Sequence, residues 1–549
     1  MKKLILFWVI IMIGIPVNAQ DYFKPIDSII HHYKGRKTPG FSVLVSKNGK
    51  TLYHKHAGYA NLKKEEKISD KTVFALASTS KQFTAACIVL LEKQGKLKFT
   101  DNLRHYIPEF PEYAEKITID QLLHHTGGLK DYRALAMLRG ENSDTYNAEA
   151  IKALLSVQEL NSESGTQWSY SNSGYWCLVQ IVEKVSGQAI TTFAEENIFR
   201  PLKMTNTRYV IKPNNKVKKA AIGYQYDGNS YNSNDIDEFS VGGGSVYSTT
   251  KDLQKWLSEM ETHRTFGTAF WTTMLTENPA KGKGFLYTKG LFHFKYNNHM
   301  MISHGGDLIG FHPITAYFPD DKVAVVILAN DDDFERYTIL DATVSQLLGE
   351  KYTYPKTEMP TEAKKKVIEE VITVPPALLE SYTGNYELRS GYIIAITNER
   401  DLLKLTQLWD NVTAFIQPAK EVHHFTIGDI SLTFGDFTKD KAMQLQIITS
   451  DENSVYKRTD KEPDLTLYTK YTGQFYNKAL NATIVFFTEN GILRYKWNDT
   501  ISYIASPPES DDLFFTKHGK ITFIKNETGT VTGFMLNHER ALNMEFIKQ

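Results

Sequence analysis

The sequence predicts one large mixed α/β domain followed by two small β-barrel-like modules. Three observations carry that prediction. Within residues 20–350, strand-like apolar runs stand near both ends and enclose helical patterns, which is the order of a sheet domain with a helical insertion. Residues 351–376 then change character, with prolines towards both ends and a charged centre. Beyond them, YTGNYEL at Tyr382 returns as YTGQFYN at Tyr471, an offset of 89 residues. A chain of 549 residues is also long enough for several folded units rather than one oversized core.

The elements follow in chain order. Lys2 and Lys3 precede an apolar run over residues 4–17, and Val17-Asn18-Ala19 forms a small-residue processing site before Gln20. That order predicts a signal peptide over 1–19, removed on export to the periplasm or medium. The run is shorter than a bilayer span requires, so no stable membrane span is expected after processing. Phe41–Val45 and Thr51–His56 read as strands joined at Asn48-Gly49, a pair suited to a primed hairpin turn. Phe83, Ala86, Cys87, Leu90 and Leu91 recur at helical spacing and predict one buried helix face. ITAYFP, DKVAVVILAN and a helix near Ile339–Leu348 return the chain to its sheet. Residues 351–376 read as a linker. Residues 377–460 and 465–549 read as two β-rich modules, preferred over one elongated β domain because each repeat ends in a further strand, NSVYKR or NMEFIK.

Composition excludes several functions. Lys plus Arg and Asp plus Glu both number 63, so the formal net charge is zero and nothing favours nucleic acid. Cys87 and Cys177, the only cysteines, cannot make a disulfide scaffold and read as core residues. His31-His32 and His124-His125 are adjacent pairs, whose side chains diverge on a helix, and no HExxH motif accompanies them. No metal and no cofactor are expected.

The chemistry lies in three segments. In ALASTSKQF, Ser78 and Lys81 are three apart, on nearly the same face at the start of a helix. Serine is a weak nucleophile until a neighbouring base takes its proton, and an unprotonated lysine is such a base. In QWSYSNSGYW, Tyr170 can shuttle a proton, and Asn172 can orient a carbonyl or the lysine. In MISHGGDLIG, His304 can donate a hydrogen bond or, when protonated, bind an acidic group, while Gly305 and Gly306 allow close backbone approach.

These motifs resemble those of the serine beta-lactamase-related family, which includes class C beta-lactamases, DD-peptidases, and esterase and D-aminopeptidase relatives. Ser78-Thr79-Ser80-Lys81 is similar to the family's nucleophile motif, and Tyr170-Ser171-Asn172 to its Tyr-x-Asn motif. His304-Gly305-Gly306 stands where the family has Lys-Thr-Gly or His-x-Gly. The segments LLHHTGGL (122–129) and GGGSVYSTTKDL (242–253) also resemble recurring family segments that support the cleft. The resemblance implies a beta-lactamase/transpeptidase-like fold, a mainly antiparallel sheet flanked by helices with a helical region. It also implies attack by Ser78 assisted by Lys81 and Tyr170, and substrate binding by Asn172, His304, Gly305 and Gly306. The backbone N–H groups of Ser78 and Asp307 would form the oxyanion hole.

One departure bears on substrate. A lysine in the third motif offers a permanent cation to a carboxylate, whereas histidine is not reliably charged at neutral pH. The expected activity is therefore hydrolysis of small esters or amides by an exported enzyme. DD-peptidase or beta-lactamase action on cell-wall stems or beta-lactams is the first alternative, and a non-catalytic sensor the second. The expected partner is a small-molecule or short peptide substrate, cell-wall fragments included, and no oligomeric state is assigned.

Overall fold

The computed structural model describes residues 22–140, 148–211, 217–234, 241–277, 285–350, 374–389, 392–409, 411–419, 421–428, 430–449, 453–460, 466–489, 491–498, 502–505 and 512–549. The expected signal peptide, and residues 351–373 of the expected linker, lie outside the described residues. Two compact units result. The first gathers the described residues within Met1–Leu129, Asn142–Ala148 and Ser162–Glu358, and the second those within Lys130–Glu141, Glu149–Asn161 and Met359–Gln549.

The first unit is an antiparallel sheet flanked by helices. Its strands are β1 (Phe41–Lys47), β2 (Lys50–Ala57), β3 (Leu286–Tyr287), β4 (Phe292–Tyr296), β5 (His299–Gly305), β6 (Ile314–Phe318) and β7 (Val323–Ala329). They lie in the order β3-β4-β5-β6-β7-β1-β2, so strands from the two ends of the segment pair along Phe41↔Ala329 to Lys47↔Val323. The β1–β2 hairpin turns at Asn48 (φ 51°) and Gly49 (φ 71°), the two positive values that a primed turn needs. Strand β7, VAVVILA, is buried along its whole length, as a continuous apolar run in a strand covered on both faces should be.

One face of the sheet presents Phe41, Val43, Val45, Ala316, Val325 and Ile327 to a core shared with helices α1 (Lys24–His32) and α5 (Arg336–Val344). Helix α4 (Thr250–Thr262) packs against β1, β6 and β7. Helices α2 (Lys81–Lys93) and α3 (Asn172–Ser186) pack on each other. Here the one-faced expectation for the first helix is corrected. Every α2 residue from Lys81 to Val89 is buried and Leu90 is only half-buried, because the helix is enclosed on nearly all sides rather than lying on a surface. Cys87 and Cys177 are free and buried, and burial pushes both thiols well above their ordinary range.

The second unit holds two sheets of nine and eight strands among the described residues. In each, the first strand pairs with the last: Gly384–Arg389 with Asn453–Arg458, and Gly473–Asn477 with Ala541–Lys548. The outermost strands are neighbours in sequence, Thr413–Phe415 and Gln417–Pro418 in the first sheet, so the sheet curls back towards itself as a near-barrel. The repeat is physical as well as textual. Tyr382 stacks on Phe434 at 4.5 Å and meets Phe425 edge-on at 5.3 Å. Tyr471 stacks on Phe523 and meets Phe514 at the same two distances. Gly384 and Gly473 share φ 140°, and a Cβ on either would strike the last strand's Arg458 or Lys548.

Two stretches from the middle of the sequence complete the second unit. Asn161 donates from Nδ2 to Arg540 O (2.8 Å) and accepts at Oδ1 from the Leu542 N–H (2.8 Å). The Asp131 N–H also donates to Arg540 O (3.0 Å), and Arg139 donates to Leu480 O (2.5 Å).

Candidate active site

The site grows from the turn that enters α2. Ala77–Ser80 form a tight 3₁₀ turn in which Ala77 takes φ +43°, a conformation that costs a non-glycine residue about 1–3 kcal/mol. The turn is held from several sides. Thr79 Oγ1 donates to His304 O (3.1 Å), Ser80 Oγ accepts from the Val246 N–H (2.9 Å), and the Leu76 N–H donates to Val246 O (2.9 Å). Gln82 donates to Thr79 O (2.8 Å) and accepts from Trp256 Nε1 (2.6 Å).

Lys81 is fully buried and its side-chain nitrogen joins the motifs. Nζ lies 2.9 Å from Asn172 Oδ1, 3.0 Å from Gly243 O and 3.3 Å from Ser78 Oγ. It also stands over the ring of Tyr170, 4.6 Å from the centroid, and over that of Tyr175 at 5.4 Å. Two firm acceptors thus fix the nitrogen and leave a third direction for the half-buried Ser78 hydroxyl. Asn172 is delivered as the first residue of α3, whose N-cap Ser171 accepts from the Gly174 N–H (3.2 Å). The Ser171 N–H in turn donates to His125 Nδ1 (3.1 Å), and the His125 ring lies 4.3 Å from that of Tyr170. His125 itself sits at φ +60°.

Strand β5 brings the third motif alongside. His304 is 2% exposed, and both ring nitrogens are engaged, Nε2 with Tyr287 Oη (3.0 Å) and Nδ1 with Gly305 O (2.6 Å). The Nδ1 contact to a carbonyl requires a proton there, so Nε2 is the acceptor for the tyrosine hydroxyl. Burial, reinforced by the charge of Lys81, pushes His304 down to about 3. The histidine is therefore neutral at physiological pH, and its expected option of binding an acidic group as a cation is closed. In the unfolded chain the same ring titrates near 6.5. Between these values the unfolded state binds a proton that the native state refuses, so His304 removes stability as pH falls from 6.5 towards 3. Urea midpoints measured from pH 7 to pH 4 should fall less steeply for His304→Gln than for the parent.

Gly306 shows why the third motif ends in glycine. A Cβ there would lie 2.5 Å from Leu76 O and 2.8 Å from Ala77 Cβ, so the strand end approaches the nucleophile turn as only glycine permits. Gly306→Ala is expected to cost about 1–3 kcal/mol through overpacking and to lower kcat by displacing the turn. Thermal unfolding and steady-state kinetics of the variant check both. At Gly305 a Cβ would stand 3.3 Å from Arg336 Nε. The Asp307 carboxylate is held by Arg336 (2.7 and 2.8 Å) and His312 Nδ1 (2.9 Å). Only its backbone remains for the expected oxyanion role. Arg336 also donates to Gly306 O (2.5 Å).

The structure thus brings Ser78, Lys81, Tyr170, Asn172, His304 and Gly306 together, with the Asp307 side chain engaged by Arg336 and His312. Gly243, His125, Tyr287, Arg336 and His312 join the site without having been singled out as functional. The segments LLHHTGGL and GGGSVYSTTKDL were the available signals for the first two. Beside Tyr170 and His304 stands an aromatic wall of half-buried rings. Trp168 meets Phe285 at 5.0 Å and Tyr170 at 6.3 Å, and Phe292 meets His304 at 5.1 Å.

The chain is similar to known proteins over more than half of its length. The family described as Beta-lactamase matches residues 26–350. Penicillin-binding protein 4* of Bacillus subtilis (strain 168) is 28% identical over 407 residues, spanning 70% of this chain and 87% of that protein. Among solved structures, the octameric penicillin-binding protein homologue from Pyrococcus abyssi aligns with a TM-score of 0.54 at 21% identity, over 79% of this chain and 99% of that one. The D-amino acid amidase from Ochrobactrum anthropi SV3 aligns with a TM-score of 0.52 at 22% identity, over 60% and 99%. These two structural likenesses are likenesses of fold.

Proposed function

We propose that this chain, which belongs to the Beta-lactamase family, is an exported serine hydrolase cleaving small esters or amides through an acyl-enzyme on Ser78. The observation that carries the reading is the position of Lys81 Nζ, held by Asn172 and Gly243 and aimed at Ser78 Oγ. In the acylation step Ser78 Oγ attacks the substrate carbonyl carbon while Lys81 accepts the hydroxyl proton. The backbone N–H groups of Ser78 and Asp307 stabilise the oxyanion. Collapse breaks the bond to the alcohol or amine, which leaves with a proton delivered through Tyr170. Water, activated by the same pair, then attacks the acyl carbon and restores Ser78. No cofactor enters these steps. The export part of the reading rests on the leader pattern of residues 1–19.

Two features support the choice of substrate. A neutral histidine occupies the place of a lysine, so the third motif offers a substrate carboxylate no side-chain cation. The aromatic wall of Trp168, Phe285 and Phe292 suits an apolar acyl or side-chain group. A second reading, action on D-Ala-D-Ala peptides or beta-lactams, is favoured by the name of the Bacillus relative, a penicillin-binding protein. The two separate in a kinetic screen of the purified mature protein. Short acyl esters and amides of apolar D-amino acids should have the higher kcat/KM. Preference for D-Ala-D-Ala peptides or a chromogenic cephalosporin would instead establish the second reading.

A further inference from the structure

On the edge strand β2, the side chains of His54 and His56 lie two residues apart and therefore on one face of the sheet. Their rings meet at 4.6 Å, and Asp70, from the following loop, closes the group. His56 Nε2 is 2.8 Å and His54 Nδ1 3.5 Å from the same oxygen, Asp70 Oδ1. One ligand atom from each of the three residues lies within 4.8 Å of the others. The cluster uses none of the residues of the hydrolytic site.

The outward ring nitrogens are also accounted for. His56 Nδ1 meets Ser42 Oγ at 2.9 Å, and His54 Nε2 meets Thr250 Oγ1 at 3.0 Å; both hydroxyl residues are buried, and their oxygens are 3.3 Å apart. Without a metal His56 Nε2 donates to Asp70 Oδ1, and each hydroxyl can accept the ring proton once a metal takes the inward nitrogen. Outer partners of this kind orient histidine ligands in metal sites. Lys251 pairs with Asp70 through the other carboxylate oxygen, Oδ2, leaving Oδ1 to face the rings.

We propose that His54 Nδ1, His56 Nε2 and Asp70 Oδ1 form a zinc site, with water in the fourth position, that ties the edge strand β2 to the loop carrying Asp70. Two imidazoles and one carboxylate are a zinc-type donor set, and tetrahedral bonds of about 2.0–2.1 Å place donor atoms about 3.3 Å apart. The His54–Asp70 distance already matches this spacing, and the His56–Asp70 contact needs to lengthen by about half an ångström.

Titration of the full mature chain with zinc chloride tests the site. One zinc per chain should bind and raise the melting temperature, and cobalt(II) in its place should give the visible bands of a tetrahedral centre. His54→Ala and Asp70→Asn should each weaken zinc binding by about tenfold or more, whereas a His31→Ala, His32→Ala double variant should not. X-ray absorption of the parent protein with one equivalent of zinc should show two imidazole ligands, which keeps the test valid if a variant misfolds. Absence of stoichiometric binding, binding unchanged in both His54→Ala and Asp70→Asn, or a zinc shell with fewer than two imidazoles would overturn the proposal.

Discussion

Ser78→Ala is expected to reduce turnover of any ester or amide substrate by about 10⁴-fold or more and to abolish covalent capture of a serine-directed acylating probe. The size of the effect follows from chemistry rather than packing. The hydroxyl is half-buried, and its 3.3 Å contact with Lys81 leaves the backbone framework of the turn untouched. The variant should therefore keep the parent's melting temperature within a degree or two, because a surface-accessible deletion of one oxygen costs little. Mass spectrometry of intact protein after incubation with the probe checks the covalent step, and steady-state assays check turnover. A variant that still turns over at the parental rate would reject the acyl-enzyme. A parent that binds the probe without acylation, and hydrolyses nothing, would establish the binding-protein alternative.

The second large effect belongs to Lys81. Its nitrogen is the meeting point of three segments, so Lys81→Met, which keeps the apolar stem, removes the proton acceptor while leaving Asn172 Oδ1 and Gly243 O without this donor. Acylation should slow by about 10²–10⁴-fold, the usual contribution of a positioned general base. Stability should fall by about 1–3 kcal/mol for the buried acceptors left behind. Pre-steady-state acylation monitored at several pH values separates the two. The residual rate in Lys81→Met should rise with hydroxide concentration, whereas a merely loosened fold would lower the rate equally at all pH values. A near-parental acylation rate would remove lysine from the base role.

How much of this was readable beforehand depends on the range of the interaction. Ser78 with Lys81, and Tyr170 with Asn172, are local spacings at the starts of helices, where sequence distance and spatial distance nearly coincide. The hairpin at Asn48-Gly49 is legible for the same reason. The pairing of β1 with β7 is visible only as strands at both ends of the domain, without register. The charge state of His304 is set first by burial and then by Lys81, neither of which its own segment contains. Arg336 was legible only as part of the stretch leading to a closing helix, and its hold on Gly306 O and Asp307 exists only once the sheet has formed. The His54-x-His56 alternation was visible as strand text. Its third member stands fourteen residues beyond His56, and no spacing rule links a strand to a loop at that distance.

The membership of residues 130–140 and 149–161 has a practical corollary for anyone cutting or grafting this gene. Stretches lying between the codons for Ser78 and Tyr170 draw hydrogen-bond partners from Leu480, Arg540 and Leu542, in the last seventy residues of the chain. The tail is consequently not a detachable cassette. A stop codon near residue 350 would strip those internal stretches of their bonding partners, and a chimera that exchanges the tail must exchange them as well. Homologues that differ in one should differ in the other, so the internal stretches and the tail are expected to be inherited as a single transplantable part.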